Sequence, residues 1–128
     1  MYILSREERV AVAKAKKSRL VPEKKNEGIL EAFGSYMKLR FRERARADIR
    51  DIYSHIFQWS KEGAVNVSRD IYAACRLIAE HPFSAPETND PFVRVKHLVR
   101  FPYCIFYSVH RDMVEILHIR HTSRRERL

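Results

Sequence analysis

The chain has 128 residues, and its 25 lysines and arginines against 16 aspartates and glutamates give a formal charge of +9. That length fits one domain with one core and is too short for two ordinary ones. No apolar run approaches the roughly 18 residues that span a bilayer, and charges enter the N-terminus too early for a signal peptide. A cytoplasmic protein with no membrane attachment is expected, with Cys75 and Cys104 as free thiols. The positive charge points to an acidic partner, either nucleic acid or a negatively charged protein.

Residues 1–36 differ from the rest. Ser5 to Leu20 fits a helix, because Ser5 followed by Glu8 three residues on is the capping-box pattern. Its apolar positions, Val10, Ala11, Val12, Ala13 and Ala15, are small, so such a helix buries little and is marginal alone. Lys14, Lys16, Lys17 and Arg19 follow, and then a polar run from Glu23 to Gly28. The stretch is expected to be an N-terminal extension, partly helical, loosely docked or mobile, and dispensable, with Met37 as the physiological start. Its sharper reading is a basic arm for nucleic acid.

Met37 to Phe41 alternates apolar and basic residues and fits a short edge strand. Glu43 to Ser60 is a helix, with Ala45, Ile49, Ile52, Ile56 and Trp59 on one face at the helical period and Gly63 expected as its C-cap. Asp48 lies four residues after Arg44, the spacing of a surface ion pair. A second helix is expected from Asn66 to Glu80, capped by Asn66 or Ser68, with Val67, Ile71, Ala74, Cys75 and Ile78 buried and Pro82 ending it. A loop with three prolines leads to an alternating strand, Phe92 to Val99. Phe101 to Val109 and Met113 to His121 then read as a hairpin across His110-Arg111-Asp112. Tyr103, Ile105 and Tyr107 share one face of its first arm and Cys104 and Phe106 the other, so that arm should be a central strand. The order is β-α-α-β-β-β over residues 37–128. It is an α+β domain with a helical hairpin on one face of an antiparallel sheet.

Three glycines and no Gly-rich phosphate loop argue against a nucleotide-binding fold. His118 and His121 are three apart on a strand and point to opposite faces, so they do not pair on a metal. Nothing in the chain calls for a cofactor. What remains is basic: Arg94 with Lys96 on one strand, His118 with Arg120 on another, and Arg124, Arg125 and Arg127 beyond it. Were these strands neighbours, the cations would converge beside Tyr103 and Tyr107. They could then hold an RNA backbone, stack a base and supply a histidine as general acid. The same patch suits an acidic protein segment, or only solvent.

Several short motifs, in order, resemble the RelE/ParE toxin superfamily of type II toxin–antitoxin systems. Ala47-Asp48-Ile49-Arg50-Asp51-Ile52-Tyr53 is similar to its first-helix signature, and Ile78-Ala79-Glu80-His81-Pro82 to the end of its second helix. Val93-Arg94-Val95 and Phe101 to Val109 resemble its central strands, and Ile116 to His121 with Arg124 and Arg125 its last strand and tail. The resemblance implies a RelE/ParE-like fold and a growth-inhibiting toxin held by a cognate antitoxin. RelE-like members cut mRNA on the ribosome, whereas ParE-like members inhibit DNA gyrase. The absence of a tyrosine after His121 leans toward the ParE-like, non-enzymatic branch. If the chain is instead an endoribonuclease, Arg94, Arg120 and His121 are the catalytic candidates. Partner contacts fall to Lys96, Tyr103, Tyr107, His118, Arg124 and Arg125. A non-toxic basic nucleic-acid-binding module is the remaining alternative.

Overall fold

A strand apolar on both faces needs a cover on each side, and here the two covers come from different parts of the chain. The computed structural model describes residues 1–22 and 37–122. Its elements are α1 (Arg6–Lys17), β1 (Lys38–Phe41), α2 (Glu43–Phe57), α3 (Lys61–Glu80), β2 (Val93–His97), β3 (Tyr103–Val109) and β4 (Met113–His121). The four strands form one sheet in the order β1-β4-β3-β2. Tyr103, Ile105 and Tyr107 of β3 pack against the α2–α3 hairpin through Ala45, Ile49, Val67, Ile71, Ala74, Cys75 and Ile78. Cys104 and Phe106 face the other way, with Val93, Val95 and Leu117, onto Leu4, Val12 and Ala15 of the N-terminal segment.

Four expectations need correction. The sheet is mixed: β3 runs antiparallel to β2 and β4, but β1 lies parallel to β4, Lys38 opposite Met113 and Phe41 opposite Ile116. Alternation along a strand sets its faces and leaves its direction open. Second, Gly63 does not cap α2. Ser60, in extended conformation, starts α3 at Lys61, and its hydroxyl accepts from the Gly63 amide at 2.9 Å. Third, Trp59 is outside the helix at the α2–α3 turn and 80% exposed, because α2 ends at Phe57, before the helical phase could carry Trp59 to the core.

The fourth correction concerns the N-terminus. Residues 1–22 are not a loose appendage but cross the sheet from edge to edge. The Tyr2 amide donates to the Glu87 carbonyl at 2.8 Å and the Asn89 amide to the Tyr2 carbonyl at 3.1 Å, beside β2. At the far edge the Val21 amide donates to the Phe41 carbonyl at 2.8 Å and the Glu43 amide to the Arg19 carbonyl at 2.7 Å, alongside β1. Between them α1 lies on the sheet, with the predicted Ser5–Glu8 capping box in place. Ala11, Val12 and Ala15 are buried, and their small size lets the helix approach closely. What the segment buries is mainly the sheet's own large side chains, which the helix's composition does not reveal. Residues 23–36, with the expected joints at Gly28 and Gly34-Ser35, lie outside the described residues.

Candidate functional site

β1 pairs with residues 113–116 of β4, so among the described residues the C-terminal half of β4 has no strand on that side. A cleft of about 350 Å³ opens along it, between α1 and α2. Asp48 of α2 reaches into this side of β4. Its Oδ2 accepts from the Ile119 amide at 3.1 Å and lies 2.6 Å from His118 Nδ1, while Oδ1 faces Arg44 Nε at 3.4 Å. The carboxylate thus satisfies a strand amide left without a ladder partner and orients the imidazole. What the sequence offers as a surface ion pair with Arg44 is a junction between α2 and β4. The pairing register shifts between Phe106 and Tyr107, which face His118 and Ile116, leaving Leu117 as the extra residue of a β-bulge. The bulge brings both Leu117 and His118 to the α1 side, where the His118 ring stacks on Phe106 at 5.9 Å.

Arg120 points to the α1 side of β4 and meets Glu8 of α1, Nη1 to Oε2 at 3.4 Å. Glu8 is fully buried and also accepts from the Tyr2 hydroxyl at 2.6 Å and the Ser5 amide at 2.8 Å. A buried carboxylate with two donors and a guanidinium is well compensated. His121 faces the other side, edge-on to Tyr103 with ring centroids 5.0 Å apart.

The expected convergence of cations therefore does not form. β2 and β4 flank β3 on opposite sides and are not neighbours. Arg94 and Lys96 pair with Tyr107 and Ile105 and share their α2–α3 side, whereas Arg120 and His118 lie on the α1 side. Arg94 is held by the Ala85 carbonyl at 2.8 Å and Glu87 at 3.1 Å. Tyr107 is wholly buried, its hydroxyl donating to the Pro82 carbonyl at 2.8 Å, and Tyr103 is 7% exposed. Neither ring offers a stacking surface, because alternation on a central strand sends both into the core. Burial pushes the Tyr107 phenol up to about 12, against the opposing pull of Arg94. Cys75, buried in α3, is likewise pushed up to about 12 by burial, against Arg46 and Arg76. Both cysteines are buried, and neither forms a disulfide. Tyr103, His118, Arg120 and His121 do border the same cleft, the one between α1 and α2. Arg124 and Arg125 lie outside the described residues.

Two residues of this region have no signal in the sequence that names their role. Glu8 reads as a capping residue, and its second oxygen finds Arg120 only once α1 lies on the sheet. Asp48 reads as an exposed helix position. Among the described residues no group of histidines, cysteines and carboxylates is arranged to hold a metal ion. No helix among them is long and apolar enough to cross a membrane.

An α+β domain with this mixed sheet and helical hairpin is the fold of a type II toxin. The structure superimposes on a chain of the chromosomal ParDE toxin–antitoxin system from P. aeruginosa with a TM-score of 0.61 and 25% identity, covering 66% of this chain and 95% of that one. Residues 39–126 match the family described as the ParE toxin of the type II toxin–antitoxin system parDE, and the chain belongs to that family. It is also 31% identical over 85 residues to Toxin ParE1 of Caulobacter vibrioides, covering 66% of this chain and 88% of the relative. The family match begins at residue 39, so α1 lies outside it, although the sheet residues it covers lie within.

Proposed function

We propose that this ParE-family toxin stops growth in the cytoplasm by binding DNA gyrase, and that an acidic antitoxin segment silences it. The observation that carries this reading over the nuclease one is that Arg94 and Arg120, two of the three catalytic candidates, do not share a site. Metal-free cleavage of a phosphodiester needs a base, an acid and a cation within reach of one scissile bond. Arg94 and Arg120 instead occupy opposite faces of the sheet, and each is engaged by a carboxylate, Glu87 and Glu8. The charge of +9 supports fast encounter with an acidic antitoxin, with apolar anchors supplying most of the affinity. A supercoiling assay beside a ribosome-dependent mRNA cleavage assay tests the target. Inhibited supercoiling with intact mRNA is expected. Cleavage that disappears on Arg120→Ala or His121→Ala would overturn the reading. An antitoxin expressed from the neighbouring gene should co-purify with the toxin.

A further inference from the structure

α1 places Glu8, Ala11, Val12 and Ala15 on the sheet, and its outward side carries five cations interspersed with Glu7, Val10 and Ala13. Arg6, Arg9, Lys14 and Lys17 are all exposed, and none makes an ion pair with another described residue. Glu7 is the one exposed acid of the helix. Lys16 is tied to Asp90 at 2.7 Å and is set aside. Lys14 and Lys17 in the last turn complement the helix dipole, so helix stability alone accounts for them. Arg6 is different: it is the first residue of the helix, where a positive charge opposes the dipole. Arg6 opposes the dipole of its own helix and makes no ion pair with a described residue, which leaves it available to an anion outside the fold.

From these observations we infer that the outward face of α1 is a docking surface for the phosphate backbone of duplex DNA, read without regard to sequence. Arg6 and Lys17 are eleven residues apart, about 16 Å along the axis at 1.5 Å per residue. A strand of duplex carries a phosphate about every 3.4 Å of axis, so four cations over that length meet several phosphates at once. The outward face carries no aromatic residue, which disfavours single strands held by base stacking. The helix is fixed at both sheet edges, so its cations are held on one set surface, Arg6 and Lys17 along its middle and Arg9 and Lys14 on its two flanks, with no segment left to order on binding. The choice of DNA over duplex RNA rests on the gyrase reading, since a toxin seated on gyrase meets the duplex that gyrase acts on.

The test is a fluorescence anisotropy titration of the purified full chain, without gyrase, against a labelled duplex DNA of arbitrary sequence. Four phosphate contacts should weaken binding on the order of 100-fold between about 50 and 200 mM salt. Each of Arg6→Gln, Arg9→Gln, Lys14→Gln and Lys17→Gln should lower the logarithmic salt slope by about 0.9, and the quadruple variant should lose most of the affinity. An unfolding midpoint of the quadruple variant close to the parent's shows that the fold is intact. Salt-sensitive binding unchanged in the quadruple variant, a matched RNA duplex bound as tightly as DNA, or polyglutamate competing as well as DNA would each overturn the inference. Loss of gyrase inhibition by the parent chain, with this titration as expected, would count against the gyrase reading and leave the surface standing.

Discussion

Glu8→Ala tests whether the N-terminal segment belongs to the domain. Its carboxylate is fully buried, accepts from the Tyr2 hydroxyl and the Ser5 amide, and faces an Arg120 side chain that is 11% exposed. Removing one partner of a buried pair costs about 3–5 kcal/mol, because the other charge is left uncompensated. Arg120 borders the cleft and regains some water, which places the pair near the lower end of that range. Loss of the reciprocal capping bond at Ser5 adds up to about 1 kcal/mol. The expected total is about 3–4 kcal/mol, a large part of an ordinary domain's 5–15 kcal/mol. Glu8→Gln keeps an acceptor oxygen and the shape and should cost about half as much. Urea unfolding followed by far-ultraviolet circular dichroism measures both, and an unchanged slope with a lowered midpoint identifies a loss of stability. A cost below about 1 kcal/mol, the size of an exposed pair, would refute the reasoning and restore residues 1–22 to a dispensable extension. Deleting the segment should be worse. Val93, Val95, Cys104, Phe106 and Leu117 would lose their cover, at up to about 1.5–3 kcal/mol for each large apolar side chain, and the truncated chain should be insoluble.

Two further outcomes follow from the site. Asp48→Asn leaves the imidazole of His118 and the guanidinium of Arg44 without a charged acceptor at the C-terminal half of β4. It should cost about 1–3 kcal/mol, read as a lowered thermal midpoint, and an unchanged midpoint would show that Asp48 does not tie α2 to β4. For Tyr107, burial holds the folded-state phenol at about 12, above its ordinary 10. The stability tied to the neutral phenol is therefore complete below pH 10 and lost as pH rises from 10 to about 12. Denaturant midpoints across that window should fall in the parent and fall less in Tyr107→Phe, and equal slopes would show that Tyr107 does not ionise late.

Local patterning determined much of this protein. The capping box at Ser5, the helical stripes through Ala45 and Ile49 and through Val67 and Ile71, and the two-faced alternation of β3 are short-range signals. Each is a periodicity or a side-chain-to-backbone bond spanning a few residues, and each fixes which way a side chain points. Tertiary structure alone decided what those side chains meet. That β1 runs parallel to β4 depends on how the α2–α3 hairpin returns the chain, which no strand encodes by itself. Arg94 and Arg120, which would converge were their strands neighbours, end on opposite faces because the registers set Arg94 opposite Tyr107 and Arg120 opposite Cys104. Glu8 and Arg120 are 112 positions apart, and their pairing exists only because α1 crosses the sheet. A helix whose apolar residues are three alanines and two valines looks too weak to dock when its own apolar surface is counted. It docks because hydrophobic burial depends on the area removed from water on both partners, and the larger share here belongs to the sheet.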